Sequence, residues 1–163
     1  MTKPLNVLFL CTGNSARSIL SEALMNDLGQ GRFLGWSAGS HPSGAPHPDG
    51  LKELIKRGHR TDLYRSKSWD EFTDGVEMDI VVTVCDNAAN EVCPVFPAKK
   101  NGGHVKVHWP APDPAHVEPL EARQKAFSEV YDLCRARIEA LIALKDEDLR
   151  DQAALQAIAD IKA

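Results

Sequence analysis

Apolar residues occupy both parities of the run Leu5 to Leu10, broken only by Asn6. A strand shows that pattern when helices cover both faces of its sheet, as in parallel sheets. Ile80 to Val84 ("IVVTV") repeats it. Between the two, Ile19, Leu20, Ala23, Leu24 and Leu28 recur at helical spacing over Ser18 to Leu28, and Gly29 stands at the end. "RFLGWSA" reads as a second strand, followed by a Gly/Pro/His-rich loop. Leu51 to Arg57 reads as a short helix closed by Gly58, and His104 to Val107 as a weaker strand. From Pro119 onward, Phe127, Val130, Tyr131, Cys134, Ile138, Leu141 and Ile142 form the apolar stripe of one long helix. Asp146 is the expected cap of a final helix carrying Leu149, Leu155 and Ile158. Alternating strands and helices predict an α/β three-layer sandwich on a parallel sheet. In such sheets ligands sit beyond the carboxyl ends of the strands. Cys11 and Cys85 both fall there.

With 163 residues and no internal repeat, the chain is expected to be one domain, long enough to bury a sizeable core. The expected division is a catalytic domain over 1–145 and a helical extension over 146–163. A net charge of -4 argues against a nucleic-acid surface, so any phosphate-like ligand needs a local positive site. The apolar run near the start is too short for a membrane span or an export signal, which predicts a cytoplasmic protein. In that compartment the four cysteines, Cys11, Cys85, Cys93 and Cys134, are expected to be thiols that react or are buried.

The segment "CTGNSARS" between the first strand and helix has the composition of an anion cradle. Such a loop directs backbone N–H groups and the positive helix end at whatever it encloses. Gly13 and Asn14 tolerate the left-handed backbone that the curl needs. Arg17 closes the ring with a fork matched to a tetrahedral oxyanion, and Thr12 to Ser18 (Thr12, Gly13, Asn14, Ser15, Ala16, Arg17, Ser18) form the binding set. The same field predicts a lowered pKa and a nucleophilic thiolate at Cys11. No Gly-Lys-Ser/Thr follows, so this is not a nucleotide-binding loop.

In "HWPAPDPA", Asp113 stands between two prolines after the last strand. It is placed either as a general acid or as an ordinary turn former. Cys85 and Cys93, seven residues apart by intervening count, suit a thiol relay better than a zinc site, which wants two tightly spaced pairs. Cys134, on the apolar stripe, is expected in the core. The histidines show no metal spacing and no metal is expected; His41 and His108 are the two that border the expected site.

Taken together, "VLFLCTGNSARS", "SAGS" at 37–40, the strand ending in Cys85, Cys93 and "HWPAPDPA" resemble the arsenate reductases built on the low-molecular-weight tyrosine phosphatase fold. The resemblance runs from about Leu5 to Leu144. It implies a four-stranded parallel sheet with helices on both faces, and a role in arsenic resistance. It also implies that Cys11 attacks arsenate held by Arg17 and the loop amides, and that Asp113 protonates the departing oxygen. Cys85 then resolves the Cys11 adduct, and Cys93 takes over the bridge. The reductant is thioredoxin, or glutaredoxin with glutathione, with no tightly bound cofactor. Phosphate and sulfate would compete, and the chain would be a monomer or weak dimer. Some relatives hold potassium near the positions of Asn14, Glu22 and Ser37; here the ammonium of Lys67 is expected to take its place. The alternative is a tyrosine phosphatase that hydrolyses a phosphocysteine at Cys11, and a non-enzymatic arsenic or redox sensor is a third reading that leaves Asp113 without a role.

Overall fold

The computed structural model describes residues 3–85 and 104–162. Four strands, β1 (Leu5–Cys11), β2 (Phe33–Gly39), β3 (Ile80–Thr83) and β4 (Val105–His108), form one parallel sheet in the order β2-β1-β3-β4. Among the described residues there are four α-helices: α1 (Arg17–Gly29), α2 (Pro48–Lys56), α3 (Leu120–Ala143) and α4 (Gln152–Ala157). This is the parallel α/β arrangement expected from the apolar runs. No described helix is long and apolar enough to cross a membrane.

β1 lies inside the sheet, and its alternating residues serve two cores. Val7 and Phe9 join the larger cluster with Leu20 and Leu24 of α1 and with Phe127, Ile138 and Leu141 of α3. Leu8 and Leu10 point the other way, to Ala38, Phe72, Met78 and Val81 under the 3₁₀ turn Trp69–Phe72. Strand side chains alternate with period two, so a strand apolar at every position must be covered on both sides. Burying each such Leu or Phe contributes roughly 1.5–3 kcal/mol.

The helix ends differ from the sequence reading in two places. α2 begins at Pro48, because His47 caps it by accepting the Asp49 N–H and Pro48 fills a first-turn position whose donor is not needed. Asp146 does not cap the last helix. Residues Asp146–Asp148 form a 3₁₀ turn, and Asp151 is the cap of α4, accepting from the N–H groups of Ala153 and Ala154. Either aspartate satisfies the capping rule; packing of Leu149 and Leu155 into the core selects the later one. Cys134 is buried in the larger cluster, as its place on the stripe predicts.

Candidate active site

Residues Cys11 to Arg17 carry the chain from β1 into α1 at the carboxyl edge of the sheet. Asn14 takes a left-handed backbone (φ 45°) inside this turn, and its side chain is fully buried. The amide of Asn14 donates to Ser18 Oγ at 2.9 Å and to Ser37 Oγ at 3.0 Å, and its carbonyl accepts the Lys67 N–H at 2.8 Å. One residue thereby ties the turn to α1, to β2 and to the segment before the 3₁₀ turn. The turn's carbonyls are held from outside: those of Thr12, Gly13 and Ser15 accept the N–H groups of His41, Ser43 and His47, each at 2.9 Å. The Gly13 N–H is directed at the Cys11 sulfur.

Behind the turn, Ser37 donates to the buried Glu22 carboxylate, and Lys67 Nζ stands 3.6 Å from Glu22 Oε1 and 3.3 Å from Ser37 Oγ. Burial pushes the Glu22 carboxyl up and the Lys67 ammonium down, while each offsets the other's cost. The ammonium thus sits beside Glu22 and Ser37 and also donates to the Arg65 carbonyl at 3.0 Å.

Gly39 closes β2 against the same turn. A Cβ there would lie 2.4 Å from the Thr12 carbonyl oxygen and 2.8 Å from that of Cys11. Both are backbone atoms and cannot swing aside. Gly39→Ala is therefore expected to cost about 2 kcal/mol or more. That corresponds to roughly 4–8 °C in Tm. Thermal melting checks the stability loss, and a fall in oxyanion affinity, read by phosphate titration, checks the distortion of the turn.

A cavity of about 910 Å³ opens over the turn, and Cys11, Arg17, Cys85 and Asp113 all line it. Arg17 reaches across to the loop after β4, donating from Nη1 to the Ala111 carbonyl at 2.9 Å, with Nη2 3.7 Å from Asp113 Oδ2. Its Nε is buried with no hydrogen-bond partner among the described residues. An unpaired, desolvated guanidinium donor on a residue that lines a cavity is suited to an anion. Asp113 is half-exposed and accepts the Ala115 N–H at 3.0 Å, so it is both a turn former and a cavity wall. Cys85 follows β3 and receives the Thr12 N–H at its sulfur at 3.3 Å, beside the Thr12 hydroxyl at 3.5 Å. Cys93 lies outside the described residues. Cys11 and Cys85 are both buried, and neither forms a disulfide among the described residues.

The pKa expectation for Cys11 is corrected here. Its hydrogen-bond neighbour Cys85, and then burial, push the thiol up, against the downward pull of Arg17 and the Gly13 N–H. The sequence shows the cradle but not the second thiol packed on the first. Two adjacent sulfurs share a proton more readily than they both ionise.

The flanking histidines also differ from expectation. The cavity is lined by His47 and His116, not His41 or His108. The His108 ring instead pairs with Thr83 Oγ1 at 2.7 Å. His47 Nδ1 accepts the Asp49 N–H at 3.1 Å, which leaves the proton on Nε2 to be donated to the Ala115 carbonyl at 3.2 Å. Its ring packs on Phe127 at 4.9 Å. The signal for His47 was the His-Pro-Asp helix start, a cap followed by proline. Among the described residues no cluster of His, Cys, Asp or Glu is arranged to hold a metal.

The family model for low molecular weight phosphotyrosine protein phosphatases matches residues 6–154. An arsenate reductase of Shouchella clausii is 34% identical over 141 residues, covering 82% of this chain and 91% of that protein. A solved arsenate reductase in its oxidised state superposes with a TM-score of 0.66 at 24% identity, covering 85% of this chain and 96% of that one. The tyrosine phosphatase AmsI of Erwinia amylovora superposes with a TM-score of 0.62 at 16% identity, over 85% of this chain and 91% of that one. At these identities the two structures speak for the fold alone, whereas the length and identity of the sequence matches speak for descent. The chain belongs to the low molecular weight phosphotyrosine protein phosphatase family, alongside relatives named arsenate reductases.

Proposed function

We propose that the protein reduces arsenate to arsenite through a cysteine relay. The observation that carries this reading is that Cys11, Arg17, Cys85 and Asp113 line one cavity, with Cys85 a hydrogen-bond neighbour of Cys11. Arg17 and the amides of Thr12 to Ser18 hold the oxyanion. Cys11 gives up its proton to an oxygen of the entering dianionic substrate, and its sulfur attacks arsenic. One oxygen leaves as water, protonated by Asp113. Cys85 then attacks the Cys11 sulfur. The sulfur–arsenic bond breaks, its electron pair goes to arsenic, and arsenite departs from a Cys11–Cys85 disulfide. Cys93 attacks Cys85 in turn, freeing Cys11 and leaving a Cys85–Cys93 disulfide for an external dithiol. The curated arsenate reductase relatives support the substrate.

The phosphatase reading needs only the first half of this chemistry. None of the described lining residues is Phe, Tyr or Trp, so the described walls offer none of these rings to clamp a phosphotyrosine. Slow hydrolysis of an aryl phosphate is the expected side activity. The test is arsenite formation with thioredoxin, thioredoxin reductase and NADPH, run beside glutathione with glutaredoxin. Steady turnover in either system supports the reading, and the faster one names the reductant. Aryl phosphate hydrolysis with no arsenite in either system would overturn it.

A further inference from the structure

The segment after α3 reaches the loop that carries Asp113 by two routes. Gln156 of α4 sets its carboxamide against the end of the edge strand β4: Oε1 accepts the His108 N–H at 2.9 Å and Nε2 donates to the His108 carbonyl at 2.6 Å. A side-chain amide thus occupies the place of a neighbouring strand. One residue on, the Trp109 indole N–H donates to the Leu155 carbonyl at 2.9 Å, with the ring buried against Phe9. The second route is Arg137 of α3. Its Nη1 donates to the Pro110 carbonyl at 2.8 Å and its Nη2 to the Ala159 carbonyl at 3.0 Å. Pro110 and Ala111 therefore have their carbonyls gripped by two different arginines, Arg137 from behind and Arg17 from the cavity. Asp113 follows two residues later.

Arg137 is 6% exposed, its Nε has no partner among the described residues, and burial pushes its pKa down. No carboxylate of the described residues lies within ion-pair distance of it. A buried guanidinium held, among the described residues, only by carbonyls is a poor choice for stability, where an apolar side chain of similar volume does as well or better. What it supplies is direction: a planar fork fixes two backbone segments at once. We propose that Arg137 is a positioning residue for Asp113, and that the segment from Asp146 to Ile161, through Gln156 and Ala159, is the backing against which the acid loop is set. This rests on the reading of Asp113 as the acid of arsenate reduction.

The experiment is a double-mutant cycle on the full chain, read as the single-turnover rate of arsenite release from pre-reduced protein across arsenate concentrations. Asp113→Asn should slow release on the order of 10²-fold, the usual yield of a positioned acid. Arg137→Met should slow it about tenfold or more, the scale of a misplaced catalytic group. The half-saturating arsenate concentration should stay unchanged, because the Cys11–Arg17 cradle is intact. In the Asp113→Asn background, Arg137→Met should add nothing, since it acts only through that carboxyl. Gln156→Ala carries the same cycle with a smaller loss if Arg137→Met does not fold, and Arg137→Lys should restore part of the rate. Equal losses in both backgrounds, or a rise in half-saturation in place of a slower step, overturn the positioning role while leaving Asp113 as the acid. An unchanged rate in Asp113→Asn removes the acid and the inference with it, and wild-type protein that releases no arsenite removes the whole reading.

Discussion

Protein carrying Cys85→Ser is expected to release no arsenite under turnover with any thiol reductant, while retaining slow hydrolysis of an aryl phosphate. The first step needs only the Cys11 sulfur, the cradle and Asp113. The second needs a sulfur beside Cys11 to accept the bond that arsenic leaves, and a serine hydroxyl forms no stable bond to sulfur. The variant has a second consequence at Cys11 itself. Cys85 is the foremost cause holding that thiol up, so its removal leaves Arg17 and the Gly13 N–H opposed by burial alone. A thiol reacts as the thiolate, which is present above its pKa. Lowering that pKa moves the onset of Cys11 alkylation to lower pH. Iodoacetamide labelling across pH, with the labelled residue identified by mass spectrometry, reads this directly. Persistent arsenite turnover in Cys85→Ser would remove the relay. An onset that stays put would show that burial, not the second sulfur, governs the resting thiol.

Arg17→Lys is expected to lower kcat/KM for arsenate on the order of 10²–10³-fold, as loss of an oxyanion donor does in other enzymes. Charge is kept in this variant, so the loss reports geometry. The guanidinium points three ways at once: to the Ala111 carbonyl at 2.9 Å, to the Asp113 carboxylate at 3.7 Å, and through a buried Nε that has no partner among the described residues. An ammonium on a flexible stem is a point charge and cannot serve all three directions. The loop after β4 then loses its forward tether, and a tetrahedral anion loses its two-pronged partner. Inhibition by phosphate should weaken in parallel, because phosphate and arsenate use the same donors. Kinetics within threefold of wild type, with phosphate inhibition unchanged, would place the oxyanion elsewhere.

These two residues also mark how far the one-dimensional pattern reaches. Cys11, Gly13, Asn14 and Arg17 are neighbours along the chain, and a strand–turn–helix forces neighbours into one curl, so the turn was readable from eight letters. The parallel sheet was readable for a similar reason. A strand that is apolar at successive positions has only one way to hide both faces. Asp113 stood in a recognisable loop, but its residue type served a turn as well as it served an acid. Only the approach of Arg17, bonded to the Ala111 carbonyl 94 residues away and 3.7 Å from Asp113 itself, shows which cavity it faces.

What the chain pattern determined by itself was the local: which segments are strands or helices, and which residues make the turn between β1 and α1. The folded molecule decided everything that depends on distance in space between segments far apart in sequence. It packed Cys85 beside Cys11 and thereby reversed the expected direction of that thiol's pKa. It chose His47 and His116 over His41 and His108 as cavity walls, moved the last cap from Asp146 to Asp151, and brought Arg137 and Gln156 behind the acid loop. Propensity and periodicity act within a turn or two of backbone, whereas charge, burial and hydrogen bonding act on whatever the tertiary packing brings within a few ångströms.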